Sequence, residues 1–120
     1  MKQSILIIEG NEIKKKILKD FFWFYGYDAL CVDSIDEAIS SLQTRGFSLL
    51  IVDYHLSGMN WSAFIETIRS TYPNMPIIGM CRKEAEFRDL GIRKVISSPF
   101  DLKGLMDEVG FLLNTPRPHP

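Results

Sequence analysis

Cysteine is scarce: only Cys31 and Cys81 occur, with no CxxC spacing and no histidine close to either. That spacing does not support a zinc site. Each thiol sits in an apolar run and reads as a free side chain in a reducing compartment. Long hydrophobic runs are missing as well, and none approaches the ~20 residues that span a bilayer. The opening MKQSILIIEG has one lysine and a short apolar run ending in an acid, without the longer apolar region of a secretory leader. A cytoplasmic protein with no membrane partner is the expectation. Nor does one sign of charge dominate, since 14 Lys and Arg face 15 Asp and Glu for a net charge of -1. No basic surplus supports nucleic-acid binding by this domain, and no acidic tail supports a solvating role. Also lacking is any GxGxxG; the loop EGNEIKKK has one glycine and no serine or threonine to wrap a phosphate. That lowers a flavodoxin-like cofactor enzyme to the remote alternative.

What is present fits one domain with one core: 120 residues, 46% hydrophobic and 24% charged. Two kinds of apolar spacing alternate along it. SILII (4–8), DALCV (28–32), SLLIV (48–52), IIGMC (77–81) and KVIS (94–97) are short runs suited to strands buried on both faces. Between the first two, Ile13, Ile17, Leu18, Phe21, Phe22 and Tyr25 recur at helical spacing. Lys14, Lys15, Lys16 and Lys19 then read as the wet face of that helix, and Gly26 as its stop. Ser34 to Glu37 matches a capping box ahead of a helical face of Ile35, Ala38, Ile39 and Leu42. Trp61, Phe64, Ile65, Ile68 and Tyr72 mark a third helix, with Trp61 as its first apolar residue rather than an exposed anchor. Residues 82–90 read as a short polar helix or loop in which Lys83 faces solvent; Leu102, Leu105, Met106, Val109, Leu112 and Leu113 mark a last amphipathic helix. The sequence predicts a domain over 1–113 and a proline-rich tail, TPRPHP, within 114–120 that begins a linker.

Alternating β and α units with short right-handed connections leave few topologies. The expected one is a doubly wound five-stranded parallel sheet, order 2-1-3-4-5, flavodoxin-like, with helices on both faces. Ligands of such sheets sit beyond the carboxyl ends of the strands, at the switch point between strands one and three. Glu9 follows the first strand and Asp53 the third, so two acids distant in sequence converge on one cleft. Adjacent carboxylates raise each other's pKa unless a cation lies between them. Mg²⁺ is a suitable cation, held by one or two carboxylates with water and phosphate oxygens. An aspartate so placed is also a nucleophile toward a phosphoryl group. Two plainer readings stand beside these: Asp53 as an inherited acid bonded to loop N–H groups, and Glu9 as a solvated loop acid, preferred to Glu9 as a metal ligand.

In order along the chain, ILIIEGNE, GYDALCVDSIDEAISSL, LLIVDYHLSGMN, PII and LGIRKVISSPF together resemble the receiver domain of bacterial two-component response regulators, from residue 4 to 113. The resemblance implies a phosphoacceptor at Asp53 and an acidic pocket of Glu9 and Asp53. It also implies a backbone carbonyl at His55 that touches the metal, and a Ser98-Pro99 peptide bond that is commonly cis in the family. It further implies a histidine kinase or other signalling protein as partner, a homodimer paired through last helices, and an output domain beyond the tail. The reading surface would be the face made by segment 82–90, the fifth strand and the last helix.

The site positions depart from the family pattern in one direction. The second consecutive acid, usually a metal ligand, is Gly10; the hydroxyl residue after the fourth strand is Cys81; the lysine before the proline is Ser98. The aromatic position on the fifth strand is Val95, and Ser57 and Trp61 replace the usual proline and glycine of the phosphoacceptor loop. Losing the lysine removes a charged hydrogen bond worth roughly 1.5–3 kcal/mol, and a thiol is a weak donor compared with a hydroxyl. The expectation is a non-enzymatic, atypical receiver (a pseudo-receiver), with weak or absent phosphorylation at Asp53 and no cofactor or at most weakly bound Mg²⁺. The alternative is a conventional receiver phosphorylated on Asp53 by a histidine kinase. Arg82, directly after Cys81, is the candidate for charge compensation of the two acids.

Overall fold

The computed structural model describes residues 2–53, 60–81, 91–92, 94–97 and 101–113, the side chains at 81, 94, 96 and 97 excepted. Its elements in chain order are β1 (Ser4–Ile8), α1 (Glu12–Phe24), β2 (Asp28–Val32), α2 (Ile35–Thr44), β3 (Leu49–Asp53), α3 (Trp61–Thr71), β4 (Ile77–Cys81), β5 (Lys94–Ser97) and α4 (Leu102–Leu113). The strands form one parallel sheet in the order β2-β1-β3-β4-β5, as the sequence leads one to expect.

The continuous apolar runs are explained by burial on both faces of the sheet. Ile5 and Ile7 of β1, with Leu49 and Ile51 of β3, join a core with Leu18 and Phe22 of α1 and Leu105, Met106 and Val109 of α4. Leu6 and Ile8, with Leu50 and Val52, point the other way, to Ala38 and Leu42 of α2 and Trp61, Phe64, Ile65 and Ile68 of α3. The alternation is the two-residue period of a strand with a hydrophobic layer on each side. Trp61 is buried, edge-on to Phe64 at 6.2 Å between centroids, so it is a core residue as expected.

The helix ends are set by local chemistry. The Asn11 side chain accepts from Lys14 N–H at 2.9 Å, Ser34 Oγ from Glu37 N–H at 3.1 Å, and Asn60 from Ala63 N–H at 3.1 Å. Gly26, at φ 88°, closes α1: its N–H donates to Trp23 O at 3.0 Å, while Tyr27 N–H donates to Phe22 O at 2.9 Å. The Phe22 and Tyr27 rings meet edge-on at 6.1 Å, the apolar contact that accompanies this left-handed cap.

The orientation of α1 differs from the sequence expectation. Leu18 and Phe22 are buried, but Ile13 is 72% exposed and Ile17 47% exposed, on the solvent side with Trp23 and Phe24. Lys14 and Lys15 are instead half-buried, and only Lys16 and Lys19 lie on a wet face. Leu18, Phe22 and the flanking Phe21 and Tyr25 offer the larger apolar surface to the sheet. The ammonium groups of Lys14 and Lys15 reach acids instead, Lys14 toward Glu9 and Lys15 to Glu12 and Asp33.

Candidate functional site

The carboxyl ends of β1 and β3 are side by side, and the register pairs Ile8 with Val52. The next residues along, Glu9 and Asp53, are therefore neighbours. Glu9 N–H donates to Val32 O at 3.0 Å, which carries the β1–β2 ladder one residue past β1. Both acids are buried, Glu9 at 1% exposure and Asp53 at 3%. The convergence inferred from the sequence is present, while the reading of Glu9 as a solvated loop acid is corrected: the ladder holds it inside.

Glu9 Oε2 accepts from Asn11 N–H at 3.3 Å. Glu9 Oε1 is buried and receives no hydrogen bond among the described residues; the Lys14 ammonium stands 3.9 Å from it. Burial, then a hydrogen bond with the Asp53 carboxyl, then the Asp53 charge raise the Glu9 pKa from 4.5 to about 7; Asn11 N–H and Lys14 pull weakly against this. Near neutral pH the pair is thus poised to hold a proton on Glu9, bonded toward Asp53.

A second ion cluster flanks this one. Lys15 Nζ bonds Glu12 Oε1 at 2.8 Å and also Asp33, just beyond β2. The hydrogen bond to Asp33, then that to Glu12, push the Lys15 pKa above the usual lysine range. Lys15 is thereby committed to two carboxylates and leaves Lys14 as its nearest chain neighbour facing Glu9. Nearby, Cys31 Sγ donates to Lys15 O at 3.7 Å, and burial pushes its thiol up to about 11, so it is a free and protonated side chain at neutral pH.

The remaining site positions divide in two. Gly10 is exposed and brings no oxygen from a side chain. Val95 lies on β5, half-buried against the α2–α3 core. The Cys81 and Ser97 backbones pair at the ends of β4 and β5. His55, Ser57, Arg82, Lys83, Ser98-Pro99, the segment 82–90 and the tail 114–120 lie outside the described residues, as does the Cys81 side chain. Arg82 as compensating cation is consequently not placed. Among the described residues the cation that approaches Glu9 is Lys14, which the sequence reading assigned to solvent.

These residues fit a divalent ion poorly. The described donors are Glu9 and Asp53 alone, and among the described residues no group of three or more His, Cys, Asp or Glu could hold a metal. Glu9 favours a proton near neutral pH, which competes with a metal for the carboxyl, and the Lys14 ammonium already stands 3.9 Å from its Oε1. Hard cations prefer a fuller set of oxygens, which water and phosphate would have to supply here.

Fold and acid pair together define a class: a single parallel sheet whose switch point presents a strand-end aspartate. The sequence matches the response regulator receiver domain over residues 5–110, and the chain belongs to that family. It is similar to the response regulator protein FleR of Pseudomonas aeruginosa, 27% identical over 114 residues that make up 91% of this chain and 24% of FleR. The chain thus spans about a quarter of that relative's length. Among solved structures it resembles a two-component response regulator from Clostridium difficile (TM-score 0.84, 22% identity, 94% of this chain and 97% of that one). It also resembles the receiver domain of a sensor histidine kinase from Pseudomonas aeruginosa PAO1, solved with a magnesium ion in its active-site cleft (TM-score 0.82, 18% identity, 96% and 100%). At these identities the structural likenesses speak for the fold.

Proposed function

We propose that this receiver is an atypical one: a protein-interaction module of two-component signalling in which Asp53 is phosphorylated weakly or not at all. The observation that carries this reading is the composition of the pocket. Glu9 and Asp53 are buried together, the position after Glu9 is Gly10, and the positions expected to steady and neutralise a phosphoryl group are Cys81 and Ser98. Phosphoryl transfer depends on positioning and on positive charge about the transferred oxygens. A second acid, a hydroxyl and a lysine are the usual sources of both, and this chain carries none of them at those positions.

The partners follow from the family: a histidine kinase or another signalling protein, with residues 114–120 leading into an output domain. The larger size of FleR, of which this chain matches 24%, agrees with such an arrangement. The module is read as non-enzymatic and cytoplasmic; among the described residues no helix is long and apolar enough to cross a membrane.

Incubation with acetyl phosphate and Mg²⁺ followed by intact-mass measurement tests the proposal. The expected result is little or no phospho-adduct. A stoichiometric adduct that disappears in Asp53→Asn would contradict it and establish the conventional reading, phosphorylation of Asp53 by a kinase.

A further inference from the structure

We infer that Lys14 is the resident cation of the acid pocket, set by the first turn of α1 to balance Glu9 and Asp53 in the place a divalent ion would take. This deepens the proposed function and rests on it for its meaning in signalling. The geometry comes from one short loop. Asn11 N–H holds Glu9 Oε2 at 3.3 Å, and the Asn11 side chain accepts from Lys14 N–H at 2.9 Å. The same capping residue thus fixes the carboxylate and the backbone that carries the cation. The Lys14 ammonium stands 3.9 Å from Glu9 Oε1, a buried oxygen with no hydrogen-bond donor among the described residues. Lys15 does not compete, because it bridges Glu12 and Asp33. Gly10 supplies no further carboxylate to recruit a metal in preference.

The consequence is antagonism between Lys14 and Mg²⁺. An ion bound to Glu9 Oε1 at roughly 2.1 Å would lie no more than about 6 Å from the ammonium. Repulsion between a double and a single charge at that separation weakens binding by about tenfold even in a water-like medium. Lys14 is therefore a residue that sets the pocket's ion preference without touching a reacting atom.

The test is isothermal calorimetry of the full chain with MgCl₂ at neutral pH, with no phosphodonor present. Lys14→Met should bind Mg²⁺ about tenfold more tightly than the natural chain, and Lys14→Arg, which keeps the charge, should stay within about twofold of it. A merely structural lysine would not raise metal affinity on removal. Lys14→Gln is measured alongside, so that a folding defect in the methionine variant leaves the comparison intact. Equal Mg²⁺ affinity in the natural chain and the uncharged variants would overturn the inference. Efficient phosphorylation in the separate mass assay would instead overturn the proposed function and leave an altered Mg²⁺ affinity standing.

Discussion

At Glu9, burial and the neighbouring Asp53 both favour the protonated form, and the folded-state pKa of about 7 lies above the ordinary 4.5. Between those two values the folded chain binds more protons than the unfolded one, so stability is full below about 4.5 and falls as pH rises toward about 7. The fall is on the order of 3 kcal/mol if Glu9 acts alone, and it levels off above neutrality. Thermal unfolding followed across that range should show this decline in the natural chain. Glu9→Gln should flatten the decline and be the more stable protein at pH 8, because the amide stays neutral and can still donate toward Asp53. An unchanged slope in the variant would mean that the proton sits elsewhere. The sequence showed which acids end the strands, yet it did not show that Glu9 is buried. That depends on one backbone bond, Glu9 N–H to Val32 O, which extends the ladder past the apolar run. It also hid Lys14, since a lysine in a row of lysines carries no mark of which one turns inward.

Among the elements, the strands were the most legible, because short apolar runs with a hydrophobic layer on each side leave little choice of conformation. The caps were nearly as plain: Ser34 and Gly26 each act at the helix end where their chemistry is useful. The orientation of α1 was not legible. Its sequence carries apolar residues on two stripes, and only the sheet decides that Leu18 and Phe22 win over Ile13 and Ile17. Substitution separates the two stripes. Leu18→Ala should cost about 2–5 kcal/mol in urea unfolding, as removal of a fully buried leucine side chain does. Ile13→Lys, at a position 72% exposed, should fall within about 0.5 kcal/mol of the natural chain. A large loss in the isoleucine variant with little in the leucine variant would reverse the assignment.

For the whole molecule, the strand order β2-β1-β3-β4-β5 turns two separate strand ends into one site. β1 and β3 are adjacent at the switch point, and their register brings Glu9 and Asp53 together across the crevice where ligands of this architecture bind. The site is thus a product of topology, and for that reason its location could be read from the order of elements before any contact was known. Its electrostatic balance could not, because the balancing lysine comes from a helix turn and not from a strand end. On the function proposed above, this pocket is balanced from within, by a proton and Lys14, and does not assemble around a phosphoryl group and a metal. The most direct measurement is a ¹H–¹⁵N correlation spectrum of the chain titrated with beryllofluoride and Mg²⁺, which together mimic an aspartyl-phosphate. The account predicts that the amide signals of Glu9, Gly10 and Asp53 shift only slightly and without saturating over the titration, as for a pocket that meets Mg²⁺ weakly and takes up no beryllofluoride. Saturable shifts at those three residues, lost in Asp53→Asn, would contradict it.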